Sequence, residues 1–265
     1  MLDTVEVIFV DIDGTLVSFE THAPVPSSLE AFQKLQEQGI AVVLASGRSY
    51  ASMASLGLTN QGFDGYVCSN GQKCFSREGE VLRSVMIDSA DVKSLLKAIA
   101  LRREAGLPEW DIFFIGEEEA YATHIGSEAE AICRALNFEL YPTKSLDFLA
   151  SQAYYQLLFF GDEAQEREVM KQLPRSIATR WHAGFIDILP SQGGKGYGVE
   201  VLLNHLHIPP QHALAFGDGE NDISMFEKVG FSIAMGNATK ACRDAADYVT
   251  KSVDDHGIRY ALEAI

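Results

Sequence analysis

Four short stretches of this 265-residue sequence gather groups that can do chemistry. The first is Asp11-Ile12-Asp13-Gly14-Thr15-Leu16. In extended chain, residues two apart project to the same side, so Asp11 and Asp13 face one point and Ile12 faces away. Two carboxylates aimed into one crevice repel each other, and a hard cation is the natural remedy. Gly217-Asp218-Gly219-Glu220-Asn221-Asp222 repeats the arrangement, and Asp218 and Asp222 would complete an oxygen-rich site with Asp11. Ligation by oxygen alone suits Mg²⁺. A calcium loop of the EF-hand kind does not fit. Its glycine and glutamate positions are Leu16 and His22 counted from Asp11, and Ile223 and Val229 counted from Asp218. Either stretch alone reads equally well as solvated loop aspartates; together they ask for a metal.

The other two stretches offer positive or donor groups. Ser46-Gly47-Arg48 combines a hydroxyl, a bare glycine backbone and the start of a predicted helix, which together make a small anion cradle. The plain alternative is a serine helix cap beside an exposed arginine. Lys195, between Gly194 and Gly196 at another predicted helix start, is the second cation candidate, though an isolated lysine is usually just solvated.

Composition narrows the function classes. Lys and Arg number 21 against 37 Asp and Glu, a formal charge of −16. Such a chain is unsuited to coating a nucleic acid or an anionic membrane, where cations must neutralise phosphates. A small anionic substrate stays admissible if the few cations converge locally. No apolar run approaches the ~20 residues of a membrane span, and the acidic start lacks the cationic region of a signal peptide. The expected location is the cytoplasm. Cys68, Cys74, Cys133 and Cys242 are too few and scattered for a disulfide framework or a zinc site, and read as semi-buried thiols.

The elements that must position these groups follow a rhythm. Val5–Val10 and Ile40–Ala45 are near-continuous apolar runs, as strands buried on both faces are. Between them Ser27 and Glu30 have capping-box spacing, and Leu29, Phe32 and Leu35 mark a helix face that stops at Gly39. Strand, helix, strand, helix predicts a doubly wound, Rossmann-like parallel sheet. After Tyr66–Gly71 the pattern changes. A hairpin of Lys73–Ser76 and Glu80–Arg83 precedes a helix over Ser89–Glu104. Strands are predicted at Asp111–Ile115, Tyr154–Phe160, Ser176–Trp181 and Phe185–Leu189, with helices near Glu128–Leu136 and Ala164–Leu173. Alternation in this middle third predicts a sheet covered on one face. Trp110, Trp181, Tyr154 and Tyr155 are assigned to its core. The α/β rhythm returns with a helix from Lys195 to about His205 and a strand at Ala213–Phe216. The expected organisation is a core from residues 1–83 and 187–265, with an α+β cap inserted at 84–186.

Taken together and in order, the four stretches resemble the motifs of the haloacid dehalogenase superfamily. The length and the large insert resemble its Cof-like sugar-phosphatase branch, as does Ser69-Asn70-Gly71 at a strand end. That resemblance implies a phosphatase acting on a small phosphorylated metabolite, with Asp11 as nucleophile and Asp13 as general acid–base. It implies Mg²⁺ held by Asp11, Asp13 (through its carbonyl), Asp218 and, through water, Asp222. Ser46, Gly47, Lys195 and Asn221 would hold the phosphoryl oxygens, and Arg48 would be a further substrate contact. The cap would supply specificity. A phosphomutase with the same nucleophile and a catalytically silent binding module on this fold are the alternatives. A metal-binding glycosyltransferase would leave the later motifs unexplained. Oligomeric state is not legible.

Overall fold

The computed structural model describes residues 4–117, 119–136 and 138–264. Met1–Asp3, on which the expected absence of a leader rests in part, lie outside the described residues. Strands β1 (Val7–Val10), β2 (Ala41–Ala45), β3 (Gly65–Cys68), β4 (Lys73–Ser76) and β5 (Val81–Ser84) come first. Then come β6 (Asp111–Ile115), β7 (Ala120–Ala122), β8 (Gln156–Phe160), β9 (Ser176–His182) and β10 (Phe185–Pro190). The last are β11 (Ala213–Gly217), β12 (Phe231–Ala234) and β13 (Tyr248–Val249). The chain forms two compact units: one runs to Ser84 and resumes at Gly194, the other is Val85–Gly193.

The first unit is built on an eight-stranded sheet in the order β13-β12-β11-β1-β2-β3-β4-β5. Strands β13 to β3 are parallel, and β4 and β5 add an antiparallel edge. Strand β1 is apolar throughout because both its faces are covered. Ile8 and Val10 pack with Phe32 and Leu35 of the helix Pro26–Glu37 and with Ile258 and Ala261 of the helix Gly257–Ala264. Val7 and Phe9 pack on the other face with Val199 and Leu202 of the helix Lys195–Leu206 and with Met225 and Phe226. Burying Phe9 completely contributes about 1.5–3 kcal/mol. Helices on both faces make the doubly wound architecture expected from the apolar runs.

Strand β1 pairs with β2 on one side and β11 on the other, Val7 lying opposite both Ala41 and Ala213. The chain leaves it in one direction and returns on the other, so a crevice opens past the carboxyl ends of β1 and β11. Open α/β sheets bind ligands at such a switch point.

The second unit carries a five-stranded antiparallel sheet in the order β7-β6-β8-β10-β9. Two details depart from the sequence-based expectation. Strand β10 pairs with β8 and β9, so residues 187–190 belong to this sheet and the chain returns to the first unit at Gly194 rather than at 187. The sheet is also covered on both faces: Leu157, Phe159 and Ile186 pack on one side, Phe113, Leu158 and Phe185 on the other. Trp110, Tyr154 and Tyr155 are buried, as assigned, and the Trp181 side chain lies outside what the structure describes.

The predicted capping box at Ser27 and Glu30 does not form. Pro26 opens the helix and Val25 caps it without a side-chain bond, because a fixed proline φ already suits the first helical position. Ser27 Oγ instead meets His256 Nδ1 at 2.9 Å.

Candidate active site

Asp11 follows the last residue of β1, and its N–H donates to the Phe216 carbonyl at 3.0 Å, carrying the ladder one residue past the strand. Asp218 follows the last residue of β11. The two loops close on each other at Gly14. Its φ of +82° is left-handed, and a Cβ there would lie 2.2 Å from Asp218 Oδ2, so only glycine fits. Asp222 Oδ2 accepts the Asp218 and Gly219 N–H groups, each at 2.9 Å, which folds the second acidic loop back and frees Oδ1 to face inward.

Lys195 is fully buried at the first turn of its helix. Its Nζ donates to Asp11 Oδ1 and to Asp222 Oδ1, both at 2.5 Å. Two glycines make that position reachable. Gly194 caps the helix at φ +118°, its N–H donating to the Asn70 carbonyl at 3.0 Å, and a Cβ on Gly71 would sit 2.3 Å from the Gly194 carbonyl oxygen.

Burial opposes charge on Asp11, Asp218 and Lys195. It pushes Asp11 up to about 7, reinforced by Asp222 and opposed by Lys195. It pushes half-buried Asp218 well above the usual carboxylate range, with Asp11 and Asp222 adding to the effect. Burial alone would discharge Lys195, but Asp11 and Asp222 outweigh it and its pKa is raised. Three carboxylates thus share one ammonium. Ligand oxygens of Asp11, Asp218 and Asp222 all lie within 4.8 Å of one another. An all-oxygen donor set with three carboxylates around one ammonium fits a hard divalent cation such as Mg²⁺, which would favour their ionised forms.

The remaining sequence-predicted residues lie around this cluster in pairs. The Asp13 carboxylate is paired with Arg48, with Nε to Oδ2 and Nη2 to Oδ1 both at 2.8 Å. Arg48 also donates to Ser52 Oγ at 3.0 Å. Buried Ser46 accepts the Arg48 N–H at 3.1 Å. The adjoining helix starts only at Tyr50, capped by Ser49, so Ser46-Gly47-Arg48 is a loop before the helix and not its N-terminus. Asn221 Nδ2 donates to Asn70 Oδ1 at 3.1 Å. Asn70 also bonds the Ser46 carbonyl through its N–H at 3.0 Å and closes over Gly47, where a Cβ would meet it at 3.2 Å. Asn70 therefore joins the first cradle to the last motif, a role its strand-end position alone did not reveal.

Two further residues escaped the sequence reading. Thr15 Oγ1 donates to Asp218 Oδ1 at 3.3 Å. Asn237 Nδ2 donates to the Gly14 carbonyl at 2.8 Å and lies 3.3 Å from Asp218 Oδ2. The Gly236-Asn237 pair after an apolar run signals a turn, but nothing in its spacing points to Gly14.

A doubly wound sheet with carboxylates at its switch point and a buried lysine between them is the frame of a hydrolase that manages anionic substrates. Residues 8–262 match the profile of the haloacid dehalogenase-like hydrolases, and the chain belongs to that family. It is an enzyme of the family's phosphatase class. It is 30% identical over 262 residues to YkrA, a candidate phosphatase of Bacillus subtilis, covering 98% of this chain and 97% of that one. Phosphoglycolate phosphatase 1 of Saccharolobus solfataricus is 28% identical, covering 98% and 96%. Among solved structures, a subclass IIB sugar phosphatase of the same superfamily superposes with a TM-score of 0.86 at 31% identity, covering 98% of both chains. No helix among the described residues is long and apolar enough to cross a membrane.

Proposed function

We propose that this chain hydrolyses a small phosphorylated metabolite, with sugar phosphates the foremost class, using Mg²⁺ and a phospho-Asp11 intermediate. The observation that carries the reading is Lys195, buried between Asp11 and Asp222 beside Asp218 at the ends of adjacent parallel strands. Lys195 occupies Asp11 Oδ1, which orients the carboxylate and leaves Oδ2 to attack phosphorus. Mg²⁺, held by Asp11, Asp218, the Asp13 carbonyl and, through water, Asp222, would offset the repulsion between that carboxylate and the phosphate.

Asp13 protonates the leaving alcohol, then takes a proton from the water that attacks the phospho-aspartate and releases phosphate. Arg48 occupies both Asp13 oxygens, so it must release one before Asp13 carries a proton. In this reading the Ser46 hydroxyl, the Gly47 N–H, Lys195 and Asn221 bind the phosphoryl oxygens, and Arg48 is a further substrate contact once it leaves Asp13. Residues 85–193 contribute none of these groups, and their assigned part is choosing among substrates. A cytoplasmic location belongs to the same reading.

The similarity to a sugar phosphatase supports that substrate class. Phosphate release across sugar phosphates, phosphoglycolate and an aryl phosphate, with Mg²⁺ or with excess chelator, tests the proposal. Release from sugar phosphates only when Mg²⁺ is present is the expected result. No release from any of them with Mg²⁺, or equal release in chelator, overturns it. Conversion of substrate to an isomer without free phosphate would make the enzyme a mutase.

A further inference from the structure

Asp218 differs from the other two clustered carboxylates in how it is held. Lys195 grips Asp11 and Asp222, whereas Asp218 is approached by two neutral donors, Thr15 at Oδ1 and Asn237 at Oδ2. Asn237 makes three contacts with one amide. Its Nδ2 donates to the Gly14 carbonyl at 2.8 Å and reaches Asp218 Oδ2 at 3.3 Å. Its Oδ1 accepts the Val253 N–H at 2.9 Å. The amide orientation is fixed, because Val253 offers only a donor and Gly14 only an acceptor.

Asn237 belongs to none of the motif stretches. It stands in the turn after β12, at the surface of the first unit. The Gly14 turn carries Asp11 and Asp13, and its glycine contacts Asp218 directly. One exposed side chain thus ties the first acidic loop, the second acidic loop and the segment around Val253 together.

We infer that Asn237 is a positioning residue that sets the Asp218 carboxylate for the divalent cation while holding the Gly14 turn against it. The inference rests on the metal reading of Asp11, Asp218 and Asp222 given above. Partners that orient a metal-ligating carboxylate typically change metal affinity about 10–100-fold when removed. At this exposed position, with Thr15 still holding the other oxygen, the lower end is expected.

Asn237→Ala removes the amide with little packing loss. The half-saturating Mg²⁺ concentration is read from the rise in melting temperature of the chelated protein on titration with MgCl₂, and separately from Mg²⁺ activation of aryl phosphate hydrolysis. The expected result is a midpoint about tenfold higher in both, with KM for the aryl phosphate at saturating Mg²⁺ unchanged. A purely structural role would lower the melting temperature equally with and without Mg²⁺ and leave the midpoint in place, and that outcome overturns the inference. A parent chain whose melting temperature ignores Mg²⁺ overturns the metal reading first and this inference with it.

Discussion

Lys195→Met keeps the length and volume of a buried side chain and deletes its charge. The structure sets the size of the effect. Two charge-assisted hydrogen bonds of 2.5 Å are lost, each worth about 1.5–3 kcal/mol. Both carboxylates stay buried, with side chains of Asp222 fully and Asp11 almost fully inaccessible. Removing one partner of a buried ion pair costs about 3–5 kcal/mol, because the other charge is left uncompensated. For a unit of this size that is a fall of about 6–20 °C in melting temperature. The assay is thermal unfolding followed by circular dichroism, in chelator and in millimolar Mg²⁺. Magnesium should recover more of the loss in the variant than it adds to the parent, since it becomes the only counter-charge left among three carboxylates. Phosphate release should disappear in both conditions. A variant that melts within about 2 °C of the parent in chelator would refute the claim that Lys195 neutralises this cluster.

Asp11→Asn should abolish phosphate release and leave the circular dichroism spectrum unchanged, whereas Asp13→Asn should slow turnover by about 10²–10⁴-fold; near-parental turnover in Asp11→Asn removes the proposed nucleophile. A chain with residues 85–193 replaced by a short Gly/Ser linker, confirmed folded by cooperative melting, should still hydrolyse an aryl phosphate with Mg²⁺ but lose its ranking of sugar phosphates. Retained ranking would put specificity in the first unit. All four cysteines are free and buried, and burial pushes the Cys133 thiol up to about 11 and Cys74 up to about 12, with Cys68 and Cys242 also raised. A chromogenic disulfide reagent at pH 8 should therefore titrate none of them quickly in the native protein and all four in guanidinium. One fast-reacting thiol in the native state contradicts this.

The site was legible where chemistry is local to a strand end. Asp11 and Asp13 after one apolar run, and Asp218 and Asp222 after another, announce themselves by position. What stayed hidden depends on contacts between distant segments. Arg48 reads as an exposed cation, yet its Nε and Nη2 both bond Asp13 and its Nη1 bonds Ser52. Asn237 looks like any polar turn residue until its amide is seen on the Gly14 carbonyl. The boundary at residue 187 was misplaced for a related reason. Strand β10 is a buried apolar strand in either sheet, and only its register with β8 and β9 decides which one it joins. Most elements between Asp222 and the last helix are short, β13 having two residues, and too brief to show a period.

The pairing of Val7 with Ala213 also bears on how the protein is made. A ribosome adding about 5–20 residues per second needs on the order of 10–40 s between those partners. Through that interval one flank of β1 has its backbone donors and acceptors unmatched, on a strand that is apolar on both sides. Such an edge is a template for aggregation or for a neighbouring nascent chain. The hundred-odd residues in between form a unit with a sheet and core of its own, which can settle while the first strands wait. Faster elongation across that middle segment would shorten the exposure and favour soluble yield. Pausing just before Ala213 would lengthen it and feed inclusion bodies.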